Sequence, residues 1–157
     1  MRKAVILSSM LTLFALAIPG HAAEQPQSFA SMRELIKASG VTGGLAVRLG
    51  NGNGDAIADL VANDRLVVHG LYRDHDELHK ARKLLQQKTL YGRASAQHWD
   101  KPYLPYTDNL VNLLVADDLG EIPMKEVLRA LAPRGVAYVK SGAKLEENRQ
   151  AMARRDR

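Results

Sequence analysis

Residues Leu45-Ala46-Val47-Arg48-Leu49 form a short apolar run. Gly50-Asn51-Gly52-Asn53-Gly54 follow at once, and a helical pattern opens at Asp55. A strand that runs straight into three alternate glycines and then a helix brings bare backbone close to a ligand where unpaired N–H groups point outward. Glycine serves there because a Cβ would block the approach and because such turns use positive φ. The spacing is G-x-G-x-G. The dinucleotide fingerprint places its third glycine one position later, where this chain has Asp55, so the pattern points to a nucleoside before a dinucleotide. A plain tight turn is the competing reading.

The rest of the chain alternates strand and helix patterns. Ser28 reads as an N-cap before a helix with Phe29, Met32, Leu35 and Ile36 on its apolar face, ending near Gly40. Ala56, Ile57, Leu60 and Val61 mark a short helix after the glycine turn, and Leu66 to Leu71 a second strand. Asp74 to Lys88 reads as a helix with Leu78, Ala81 and Leu85 inward and acidic residues in its first turn. Arg93 to His98 is a weakly patterned third strand. Leu110 to Val115 is nearly all apolar, as a central parallel strand buried on both faces should be. Met124, Val127, Leu128 and Leu131 form another helix face, and Val136 to Val139 a fifth strand. This alternation predicts a three-layer, doubly wound, Rossmann-like parallel sheet. From Ser141 onward the sequence is charged and helix-prone with no further strand pattern, so the expected sheet is truncated after its fifth strand.

Several landmarks together resemble the class I S-adenosylmethionine-dependent methyltransferases over residues 28–140. They are the glycine turn, Leu66-Val67-Val68-His69-Gly70-Leu71-Tyr72 as second strand, Asp100-Lys101-Pro102-Tyr103-Leu104-Pro105-Tyr106 as an acidic-to-LP segment, Val111 to Ala116 as fourth strand, and Leu128-Arg129-Ala130-Leu131-Ala132-Pro133-Arg134-Gly135-Val136 for the L-x-P-G-G turn before the fifth strand. The chain is most similar to the exported bacterial type found before a PQQ-type β-propeller, and no propeller follows in this sequence. The resemblance implies strand order 3-2-1-4-5 and S-adenosylmethionine as cofactor. It places Gly50, Asn51, Gly52, Gly54, Tyr72, Trp99 and Asp100 at the cofactor. Three positions depart from the family pattern. Arg48 stands where an acidic residue precedes the first glycine by two, Tyr72 where a carboxylate holds the ribose hydroxyls, and Asn112 where the fourth strand often has aspartate. Losing the ribose carboxylate weakens binding by about 1–3 kcal/mol, and Arg48 sets a cation near the sulfonium. The phenol of Tyr72 can instead stack on the adenine.

Met1-Arg2-Lys3 is a basic start, Ala4 to Ile18 an apolar run, and Pro19-Gly20-His21-Ala22-Ala23 a small-residue cleavage site. Residues 1–23 therefore read as a signal peptide, 24–27 as a linker, 28–140 as the domain and 141–157 as a charged tail. The expected location is periplasmic or secreted. The apolar run is shorter than the roughly 20 residues of a membrane span, so no stable span is expected after cleavage; an uncleaved anchor is the alternative. There is no cysteine, which excludes a lipobox and a disulfide framework. The formal charge of +5 falls to +3 without Arg2 and Lys3, and residues 140–157, with six basic and three acidic side chains, account for that remainder. A near-neutral body with 5% aromatic residues disfavours nucleic-acid binding.

Other candidate chemistry is sparse. His75 and His79 lie four apart on a helix, a spacing that can share a metal, but without an obvious third ligand they read as a solvated face. Asp117 and Asp118 end the fourth strand at the sheet edge where such folds bind ligands. Asp117 is the candidate base or orienting carboxylate, with a helix-capping or loop aspartate as the competing reading. Trp99 can stack on a purine or serve as core. Three functions follow: a methyltransferase acting on an unidentified acceptor, a degenerate non-catalytic module that binds or scaffolds a protein partner, and an unrelated α/β domain using the turn for another nucleoside or anion.

Overall fold

A computed structural model describes residues 31–141 and 144–149. The expected signal peptide, the linker and Ser28 lie outside the described residues. The elements in chain order are α1 (Met32–Ser39), β1 (Gly44–Leu49), α2 (Asp55–Val61), β2 (Leu66–Tyr72), α3 (His75–Gln87), β3 (Ala94–His98), β4 (Val111–Ala116), α4 (Met124–Ala130), β5 (Leu131–Ser141) and β6 (Lys144–Arg149). They build one sheet of order β3-β2-β1-β4-β5-β6. The first five strands are parallel, as the alternation required.

Two expectations need correction. The N-cap of α1 is Ser31, not Ser28: Ser31 has an extended backbone and its hydroxyl accepts from Glu34 N at 3.3 Å, satisfying one of the helix's unpaired donors. The charged segment after Ser141 also holds a strand, β6, which runs antiparallel to β5 in a hairpin. Its sequence, KLEENR, has no strand pattern of its own; the open edge of β5 supplies the pairing that the side chains do not signal.

One face of the sheet is covered by α1, α2 and α3, whose Leu35, Ile57, Leu60, Val61, Leu78, Ala81 and Leu85 pack on Ala46, Val68, Leu113 and Val115. Helix α3 forms as its sequence dictates: Asp74 caps it by accepting from Glu77 N at 2.8 Å, and Leu78, Ala81 and Leu85 lie on one stripe. Among the described residues, the other face carries only α4 and the helix-free segment 99–110 over Val47, Leu49, Leu71, Leu114 and Ala116. A charged clamp holds that segment to α4. Glu126 accepts from Leu104 N (3.0 Å) and from Arg129 (2.6 and 2.8 Å), while Arg129 donates to Tyr106 O at 2.9 Å and pairs with Asp108.

Between β1 and β4 the register shifts, and Asn112 fills the irregularity. Its Oδ1 accepts from Leu45 N at 3.0 Å, in the space a Cβ at residue 44 would occupy. Asn112 therefore bonds at the amino end of β1, away from the glycine turn, and its departure from aspartate costs no ligand contact. Among the described residues no helix is long and apolar enough to cross a membrane.

Candidate functional site

The strand order reverses between β1 and β4, and the glycine turn emerges at that switch point, where open α/β sheets bind ligands. Gly50, Gly52 and Gly54 all have positive φ (156°, 113° and 95°). A Cβ at Gly52 would meet nothing within 4 Å, so the middle of the turn stands open. Gly54 has a different role: a Cβ there would lie 2.9 Å from Ala81 Cα, so the glycine lets α3 seat against the start of α2. Beside the turn is a cleft of about 260 Å³, open to solvent and lined by Leu49, Gly50, Asn51, Leu71, Arg73, Trp99 and Asp118.

Arg48 lies beneath the turn and is only 6% exposed. Its guanidinium donates to Leu49 O, to Val115 O at 3.3 Å and to Asp117 Oδ2, and its Nε is buried without a partner. The expectation of a bare cation at this point is corrected: Asp117, from the end of β4, neutralises it. Asp117 is correspondingly engaged in an ion pair and is not a free base. The pair presses on Gly50, where a Cβ would stand 2.5 Å from Arg48 Nη1 and 2.7 Å from Asp117 Oδ2. Gly50 is required first by this internal pair.

Tyr72, at the ribose-carboxylate position, is 3% exposed and packs into the core under α2 and α3. Burial pushes its phenol up to about 12. Its ring fills the core and Leu71 lines the cleft instead, so stacking of Tyr72 on an adenine has no face available. Trp99 stands at the cleft wall, anchored by its backbone N–H to Tyr72 O (2.8 Å) and its indole N–H to Tyr103 O (2.5 Å). Asp100, next in sequence, is exposed and paired with Lys101 Nζ at 3.1 Å; that hydrogen bond holds its carboxyl below the usual range. Asp100 is not among the residues that line the cleft.

The structure thus brings Gly50, Asn51 and Trp99 together around one cleft; Gly52 stands open in the turn and is not among the residues that line it. Sequence reasoning missed Arg73. It follows Tyr72, lines the cleft, and reaches Leu119 O (2.5 Å) and Asp118 Oδ2 (3.5 Å) in the loop after β4. A cation directly after the ribose position was the available signal. His75 stacks on His98 with ring centroids 4.0 Å apart, and His98 Nε2 bonds Arg73 O at 3.0 Å. Among the described residues no group of three or more His, Cys, Asp or Glu is arranged to hold a metal. His69 and Tyr106 form a hydrogen bond of 2.8 Å under the helix-free segment, and burial lowers the His69 pKa.

The architecture is that of the class I methyltransferase fold. Solved structures similar to the chain include a protein assigned as an S-adenosyl-L-methionine-dependent methyltransferase from Methanococcus maripaludis, with TM-score 0.63 and 22% identity over 71% of this chain and 53% of that one. Another is an S-adenosylmethionine-dependent methyltransferase from Aquifex aeolicus, with TM-score 0.57 and 15% identity over 69% of this chain and 61% of that one. The [4+2]-cyclase SpnF is also similar, with TM-score 0.61 and 22% identity over 69% of this chain and 42% of that one. The chain therefore spans about half the length of the structures it matches, and the presence of a cyclase among them shows that this fold does not fix one reaction. No family model matches the sequence. No curated protein matches it either.

Proposed function

We propose that the domain is methyltransferase-like and binds an S-adenosylmethionine-type adenine nucleoside weakly across the carboxyl ends of β1, β2 and β3. The observation that carries this reading is the coincidence of an open glycine turn and an aromatic-walled cleft at the topological switch point. The adenine half fits the residues present: Leu49, Leu71 and Asn51 offer apolar and polar edges, and Trp99 a stacking face. The ribose and sulfonium half does not fit. No carboxylate stands at Tyr72, and the acidic residue before the glycines is replaced by Arg48. These residues therefore support binding and no methyl-transfer step. An acceptor substrate of unidentified chemistry would enter over the strand ends.

The pairing of the buried Arg48 with Asp117 favours a second reading, a non-catalytic exported module that binds or scaffolds a protein partner. Export to the periplasm or beyond rests on the N-terminal sequence alone. Calorimetry of residues 24–157 with S-adenosylmethionine and S-adenosylhomocysteine separates the two readings. Binding that Gly52→Val abolishes while its melting temperature stays near that of the wild type supports the nucleoside site: a Cβ there meets no protein atom, and the melt separates a blocked ligand from the strain that φ +113° puts on a side chain. Absence of heat at millimolar ligand leaves the scaffold.

A further inference from the structure

We propose that Arg73 is a latch across the candidate nucleoside cleft. In its closed form it bridges the end of β2 to the loop after β4, over the tip of β1, and a ligand with a carboxylate arm opens it by taking the place of Asp118. The strand order β2-β1-β4 means that any side chain joining β2 to the β4 loop must pass over β1, and Arg73 lines the cleft as it does so. Its base is fixed. The Arg73 carbonyl bonds His98 Nε2, and the next residue, Asp74, caps α3. Its arm is held lightly, by one hydrogen bond to Leu119 O and a long ion pair to Asp118 whose two side chains are 43% and 70% exposed. Gly120 makes room for the guanidinium, since a Cβ there would collide with it. Asp118 is itself steadied by accepting from Gly120 N at 2.8 Å, so both ends of the bridge are placed while the bridge is weak. An exposed ion pair and one carbonyl hydrogen bond hold such an arm closed by roughly a factor of ten. A guanidinium released from Asp118 bonds a carboxylate more strongly than a neutral acceptor, which favours ligands that carry one.

The ligand named here rests on the nucleoside reading above; the latch geometry does not. The chain has no cysteine, so a single introduced thiol reports on one place. Leu71→Cys, 3% exposed on the cleft floor, is labelled with an aromatic disulfide reagent, with Leu114→Cys, fully buried under α4, as the control. In an Arg73→Ala background the thiol at 71 should react about tenfold faster and the thiol at 114 at an unchanged rate. Equal rates at 71 in both backgrounds, or equal acceleration at both positions, overturn the latch. In calorimetry the wild type should prefer S-adenosylhomocysteine to 5′-methylthioadenosine, which lacks the carboxylate arm, and Arg73→Ala should lose that preference. A preference that survives Arg73→Ala overturns the carboxylate trade. If neither compound binds either protein, the nucleoside reading fails while the thiol rates still decide the latch.

Discussion

The Arg48–Asp117 pair lends itself to a double-mutant cycle. Arg48 is 6% exposed, whereas the Asp117 side chain is 41% exposed. Removing one partner of a fully buried pair costs about 3–5 kcal/mol, chiefly because the other charge is left buried and unpaired. In Asp117→Ala the guanidinium keeps Leu49 O and Val115 O, and water reaches the place of the half-exposed carboxylate, so the expected loss is about 2 kcal/mol. Arg48→Met keeps much of the volume, removes the buried charge and leaves Asp117 to solvent; about 0.5–1 kcal/mol is expected. Adding Asp117→Ala to Arg48→Met should then cost almost nothing, giving a coupling of about 1.5–2 kcal/mol. Urea unfolding followed by far-UV circular dichroism measures all four proteins, and Asp117→Ala should lower Tm by roughly 6–10 °C. If Asp117→Ala costs as much in the Arg48→Met background as in the wild type, the pair is not what fills the floor of the site.

Three further outcomes are expected. Tyr72→Asp, which would restore the family's carboxylate, should destabilise the fold by about 3 kcal/mol instead of tightening ligand, because it empties a core site and buries an acid; thermal melts beside calorimetry check this. Glu126 has its folded pKa lowered to about 2, first by its hydrogen bond to Arg129. Its contribution is therefore fully present above the unfolded value near 4.5 and is lost as pH falls toward 2. Stability of wild type minus Glu126→Gln, measured by urea titration from about pH 6 to about pH 2.5, should shrink across that window, and a constant difference would refute the assignment. Arg134 is exposed and holds φ +67° within β5, at the register shift between the pairings of Leu131 and Val136, so Arg134→Gly should be stabilising by about 0.5 kcal/mol once the greater freedom of glycine in the unfolded chain is offset; a lower urea midpoint would refute it.

The sequence by itself determined the order of strands and helices, the parallel sheet and the position of the glycine turn. Those features rest on local patterns: Leu78, Ala81 and Leu85 repeat with the helical period, β4 is apolar on both faces, and glycine is demanded where φ is positive. That Gly50, Asn51 and Trp99 share one cleft was legible for the same reason, since each follows a strand on the same edge of the sheet. What only the tertiary structure decided are pairings between distant residues. Arg48 finds Asp117 on another strand's end, 69 residues on, which turns an apparent cation at the ligand into a neutral plug. Tyr72 is drawn into the core by α2 and α3, and Asn112 is spent on the backbone of β1. The strand β6 exists because β5 has a free edge, not because KLEENR favours it. Periodicity reports which way a residue faces along its own element; the identity of its partner depends on register between strands, which no single segment encodes.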